Sequence, residues 1–206
     1  MKNLIWDLDG TLIDSYGIIL QSLEETFSCF QLDFDYEETK NYISRYSVVK
    51  FLKDTSEYYS ISYDKIKTEF SRRTSLKNSE ITLMPDALSV LKWSKKQGMR
   101  NYIYTHKSNN ALKVLYILGI LDYFDEVVTS SNGFKRKPDS EAVFYLINKY
   151  SLKKEETCYI GDRKIDVDVA VNSGIKSINL SQPDSDVNRK IDELSDLCKM
   201  EWFHQL

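Results

Sequence analysis

The sequence is short of the features that mark several protein classes. Its 206 residues include three cysteines, Cys29, Cys158 and Cys198, which lie far apart and form no CxxC pair. That spacing argues against a disulfide framework or a zinc centre and suits a reducing compartment. No run approaches the roughly 18 apolar residues of a membrane span. The opening MKNLIWDLDG carries one lysine and meets its first acid at Asp7, so its apolar stretch is too short for a secretion signal. Basic residues do not predominate: 28 Lys and Arg stand against 31 Asp and Glu, a formal charge of −3. Neither a nucleic-acid footprint nor a polybasic membrane patch stands out. Repeats and low-complexity segments are also missing. The expectation is a cytoplasmic globular protein, monomer or homodimer, with neither nucleic acid nor membrane as partner. If such an acidic chain binds an anion, it must gather positive charge locally.

Glycine is unevenly spread, with none between Gly17 and Gly98. From Asp14 to Leu83 there is no convincing strand run. Residues 16–31 show apolar spacing near the helical period, and further helical stretches follow near 36–45, 47–59 and 62–75. The remainder alternates. Strands are expected at 3–8, 101–105, 125–130, 156–160 and 176–180. Helices are expected at 84–97, with Pro85 in the first turn, and at 108–118, 139–150 and 164–173. Gly98, Gly119 and Gly174 are suitable stops. A last amphipathic helix is expected at 186–198. Alternation of this kind implies right-handed crossovers and a doubly wound parallel α/β sheet. The predicted domains are a core from 1–14 and 84–206, and an inserted helical domain from 15–83.

In an open parallel sheet, ligands bind beyond the carboxyl ends of the strands. Four expected strand ends carry distinctive groups: Asp7-Leu8-Asp9-Gly10-Thr11; Thr105-His106; Lys137-Pro138 beyond the third strand; and Gly161-Asp162, with Asp166 shortly after. Acids gathered on one rim repel and raise one another's pKa unless a cation intervenes. Mg2+ suits them, because it takes carboxylate, water and phosphate oxygens. Asp7, Asp162 and a backbone carbonyl could hold it, with Asp166 acting through water. Lys137 offers a point charge to phosphoryl oxygens. Gly10 lets the backbone turn sharply after the acids, where N–H groups could cradle phosphate.

The set DLDGT at 7–11, Thr105, Lys137-Pro138 and GDRKID at 161–166 resembles the haloacid dehalogenase-like hydrolases. The helical insert and TLIDS at 11–15 resemble the phosphoglycolate phosphatase-like and β-phosphoglucomutase-like branch. The resemblance implies a Mg2+-dependent phosphatase acting on a small phosphorylated metabolite, such as phosphoglycolate or a sugar phosphate. Asp7 would be the nucleophile, forming an aspartyl-phosphate. Asp9 would be general acid and then base. Leu8, Thr105, His106 and Lys137 would hold the phosphate, and Asp7, Asp9, Asp162 and Asp166 would serve the metal. The helical insert would act as a cap, with Arg45 and Lys50 where related caps carry a substrate-recognition loop. Two departures stand out. Arg163 follows Gly-Asp where a small hydroxyl residue is common, and His106 stands where asparagine is common.

Simpler readings exist. Asp162 could be a helix cap, Asp166 could pair with Lys164 or Arg163, and Arg45 and Lys50 could be surface charges. Cys158 suits a core position, Asp168 an exposed helix face and His204 an exposed tail. A phosphosugar mutase would use the same residues. A phospho-receiver module would also gather acids and a lysine, but with its phosphoacceptor on a later strand.

Overall fold

The computed structural model describes residues 1–203; His204 lies outside them. The elements in chain order begin with strands β1 (Asn3–Trp6) and β2 (Ile13–Asp14). Helices α1 (Tyr16–Cys29), α2 (Tyr36–Arg45), α3 (Val48–Tyr58) and α4 (Tyr63–Leu76) follow. Then come β3 (Thr82–Leu83), α5 (Ala87–Lys96), β4 (Arg100–Tyr104), α6 (Asn110–Ile117) and β5 (Glu126–Val128). The chain continues with α7 (Glu141–Tyr150), β6 (Thr157–Gly161), α8 (Lys164–Ser173), β7 (Lys176–Asn179) and β8 (Asn188–Lys190).

The chain divides into two compact units, one of residues 1–14 and 82–206 and one of residues 15–81. In the first, six strands form one parallel sheet in the order β5-β4-β1-β6-β7-β8. From β1 the chain winds outward through β4 and β5, then returns to β6 on the other side. The topological reversal therefore falls between β1 and β6, where open α/β sheets bind ligands. The sequence of β1, Asn-Leu-Ile-Trp, explains its central place: all four residues are buried, as a parallel strand covered on both faces requires. Its register runs Asn3 to Trp6 against Arg100 to Ile103 on one side and Thr157 to Ile160 on the other. Against one face pack Ala142, Val143 and Leu146 of α7 and Val169 and Ala170 of α8, in a cluster with Ile5 and Tyr159.

The second unit is a four-helix assembly with its own core, Leu20, Leu23, Phe27, Ile43, Leu52 and Ile66. Asp35 and Ser47 cap α2 and α3 by accepting the Glu38 and Lys50 amides at 2.7 and 3.1 Å. No helix among the described residues is long and apolar enough to cross a membrane.

Three expectations require correction. The chain over 186–198 is not one helix; it forms edge strand β8 followed by a 3-10 turn at Leu194–Lys199. Ile191, Leu194 and Leu197 are buried at a spacing of three, which fits a 3-10 period. Pro85 precedes the first turn of α5, because Asp86 adopts a left-handed conformation (φ 62°) and the helix starts at Ala87. A two-residue antiparallel ladder, β2 with β3, lies where no strand was expected.

Candidate active site

The site begins where β1 ends. Asp7 is still in the sheet, its N–H donating to the Ile160 carbonyl at 2.8 Å, and its side chain is buried. The chain then turns tightly. The Leu8 carbonyl accepts the amides of Thr11, Leu12 and Ile13 at 3.3, 3.0 and 3.1 Å, and Gly10 takes φ +83°, which favours glycine. Leu8 is itself fully buried. The same turn places the Thr11 hydroxyl 3.0 Å from Asp162 Oδ1, to which it donates.

At the end of β6, Gly161 sits against Asp166. A Cβ there would fall 2.4 Å from the Asp166 carboxyl carbon, so any side chain at this position would push Asp166 aside. Asp166 is fully buried. One oxygen accepts from the Lys137 ammonium at 2.7 Å and the other from the Arg163 amide at 3.0 Å. Lys137 is also buried and stands 2.8 Å from Asp7 Oδ1. Its ammonium lies over the rings of Tyr104 and Tyr159, 5.4 and 5.1 Å from their centroids. A cation so enclosed has exchanged its water for two carboxylates and two aromatic faces.

Oxygens of Asp7, Asp162 and Asp166 lie within 4.8 Å of one another. Three carboxylates against one ammonium leave this buried spot with excess negative charge. Burial, with Asp166 and Asp162 beside it, pushes the Asp7 carboxyl up to about 8 despite Lys137. The two carboxylates hold the Lys137 ammonium above its ordinary range in turn, against the opposing effect of burial. A set of hard oxygen donors with uncompensated charge fits a divalent cation. Asp9, also expected among the metal residues, is not one of these three. Asp9 Oδ1 instead pairs with Lys107 Nζ at 2.8 Å.

The end of β4 supplies three further residues. Thr105 is buried, and its hydroxyl accepts the Lys107 amide at 3.1 Å. His106 Nε2 accepts the Lys137 amide at 2.8 Å. Burial, together with the positive charges of Lys137, Arg136 and Arg163, pushes its imidazole down to about 2. Arg163 and Asp166 bracket the first turn of α8, and Asp168 pairs with Lys164 at 2.7 Å on its exposed side. Arg45 and Lys50 belong to the helical unit. Arg45 lies over the Tyr46 ring, and Lys50 pairs with Asp54 at 2.8 Å.

Sequence reasoning overlooked Lys107, Tyr104 and Tyr159. A lysine in a polar turn reads as solvated, and tyrosines in a buried strand read as core. The available hint was spacing: Thr105 and Lys107 stand two apart at a strand end that already carries a candidate hydroxyl.

Fold and site together define an α/β protein whose acidic and basic side chains crowd the carboxyl ends of its central strands. A model of the haloacid dehalogenase-like hydrolases matches residues 4–180, and the chain belongs to that family. This is the family its four sequence motifs resemble. A PpaX protein of Clostridium perfringens is 30% identical over 183 residues, covering 86% of this chain and 82% of that protein. A phosphoglycolate phosphatase of Aquifex aeolicus is 27% identical over 218 residues, covering 97% and 96%. Among solved structures, a hydrolase of this superfamily from Geobacter sulfurreducens superposes with a TM-score of 0.77. Its identity is 17%, over 97% of this chain and 95% of that one.

Proposed function

We propose that the chain is a Mg2+-dependent phosphatase that hydrolyses a small phosphomonoester through an aspartyl-phosphate on Asp7. One observation carries this reading. Asp7 and, from a second segment, Asp162 and Asp166 meet beside a buried ammonium at the reversal point of the sheet. A phosphatase among its relatives supports it.

Asp7 attacks phosphorus through a carboxylate oxygen, and the bond from phosphorus to the substrate oxygen breaks. Asp9, in its protonated form, gives that proton to the departing alkoxide and becomes the carboxylate that pairs with Lys107. Asp9 then takes a proton from water, which attacks the acyl phosphate and frees Asp7. Its pairing with Lys107 holds this acid apart from the three carboxylates. Lys137 is fixed beside Asp7, where it neutralises charge building on the phosphoryl oxygens. The Thr105 hydroxyl is assigned to a phosphoryl oxygen, with the backbone at Leu8 and the ring of His106 lining the same space. Asp7, Asp162 and Asp166 would hold the metal, which supplies charge neutralisation and Lewis-acid polarisation.

Residues 15–83 are assigned the choice of leaving group, with Arg45 and Lys50 as the candidate contacts. Three free cysteines support a reducing, cytoplasmic setting. The deciding experiment measures phosphate release from a panel of phosphomonoesters with and without Mg2+, for the natural chain and for Asp7→Asn. Release that needs both the metal and Asp7 is expected. Undiminished turnover by Asp7→Asn would remove covalent catalysis by this residue. Arg45→Ala on the same panel tests the specificity assignment, and an equal effect on all substrates would dismiss it.

A further inference from the structure

The backbone that presents Lys137 is gripped by side chains at three successive places. The Tyr104 hydroxyl donates to the Lys135 carbonyl at 2.9 Å. His106 Nε2 accepts the Lys137 amide at 2.8 Å. Asn172, from the last turn of α8, donates to the Pro138 carbonyl at 2.8 Å. Tyr104 and His106 are two residues apart, so they project to one side of the chain leaving β4. They hold atoms of Lys135 and Lys137, likewise two residues apart. The strand thus continues its grip beyond the last backbone pair, with side chains replacing main-chain partners. The His106 ring also packs edge-on against Tyr104, with centroids 6.3 Å apart and planes at 79°.

We propose that His106 is a positioning residue for the phosphoryl-transfer lysine: by accepting the Lys137 amide at Nε2, it fixes the backbone from which that ammonium reaches Asp7. This rests on the phosphatase reading for its catalytic meaning, but the contact can be tested independently.

The ring is suited to the task. An amide donor needs an imidazole nitrogen with its lone pair free, so the proton must sit on Nδ1. Tyr104 packs against the ring, and the charges of Lys137, Arg136 and Arg163 act on it. The three cations among them oppose a second proton, so the acceptor persists wherever the enzyme works. Asparagine at this position would be too short to place an oxygen where Nε2 stands, whereas glutamine reaches it. Histidine therefore serves here as a long, rigid acceptor, which accounts for its departure from the common motif.

Two measurements test this. Long-range proton–nitrogen NMR of the ring, in a chain carrying His204→Gln so that one imidazole remains, reads the tautomer directly. The expected result from pH 5.5 to 8 is a neutral ring protonated at Nδ1. A ring protonated at Nε2, or titrating within that range, would overturn the proposal whether or not the protein is a phosphatase. The second measurement is kinetic, with p-nitrophenyl phosphate and Mg2+. His106→Leu removes the acceptor, and kcat is expected to fall on the order of 10- to 100-fold, as for about 1 Å of misplacement, with KM little changed. His106→Gln is expected to recover most of it. Equal losses in both variants, or no loss in His106→Leu, would overturn the assignment. A natural chain that releases no phosphate would refute the phosphatase reading instead, leaving the ring spectrum to judge the contact.

Discussion

At the scale of single residues, the site depends on positions with no tolerance. Gly161 has the clearest geometry, since an added methyl group would collide with the Asp166 carboxyl. Gly161→Ala should cost about 1–3 kcal/mol of stability, the usual penalty for overpacking, and weaken Mg2+ binding as Asp166 is displaced. Urea unfolding and titration calorimetry read the two effects. His106 carries a pH signature. Its folded pKa is pushed down to about 2, below the unfolded value near 6.5, so the unfolded chain binds one more proton between those limits. Its contribution to stability is therefore constant above pH 6.5 and is lost as pH falls, by at most about 1.4 kcal/mol per unit. Comparing urea unfolding of the natural chain and His106→Gln from pH 7 to 5 isolates this slope, which the variant should lack. At this scale the sequence was informative where chemistry is unusual. Two acids one residue apart before Gly-Thr, and lysine before proline, stand out from ordinary loops. Thr11, Lys107 and Tyr159 do not, because their roles come from what they touch, and those contacts join segments about 50 to 150 residues apart.

At the scale of elements, periodicity located five of the six strands of the sheet and the helices, with ends displaced by a few residues. It failed where elements are short. The ladder of β2 with β3 spans two residues a side, too few to show an alternation. In the stretch after β7, Asn188 uses its side-chain amide to hold the carbonyls of Gln182 and Pro183, so a loop takes the place of the expected helix start. Within the helical unit, caps at Asp35 and Ser47 satisfy exposed first-turn amides. Asp35→Ala and Ser47→Ala should each cost about 1 kcal/mol. These losses should add in the double variant, because the caps serve different helices. Thermal unfolding followed by helical circular dichroism tests both statements.

At the scale of the whole molecule, the acidic cluster links ligand binding to stability. The proposed cation binds only when Asp7, Asp162 and Asp166 have been assembled by folding, so Mg2+ should stabilise the chain. The gain is roughly 2.7 kcal/mol at a hundredfold excess over Kd. Burial holds the Asp7 proton up to about pH 8 in the metal-free protein, so binding must expel it, and affinity should rise as pH approaches that value. Melting curves with increasing Mg2+ at pH 6 and 8 check both points, and Asp7→Asn should blunt the response. The order of strands carries a last consequence, for biosynthesis. The strand bearing Asp7 lies between partners that begin at Arg100 and Thr157, while residues 15–81 have a core of their own. During translation the helical segment can fold while Leu4, Ile5 and Trp6 still await both neighbours. A ribosome-stalled chain ending near residue 150 should therefore hold a protease-resistant helical fragment and a vulnerable amino-terminal stretch, which gains protection once β6 has emerged.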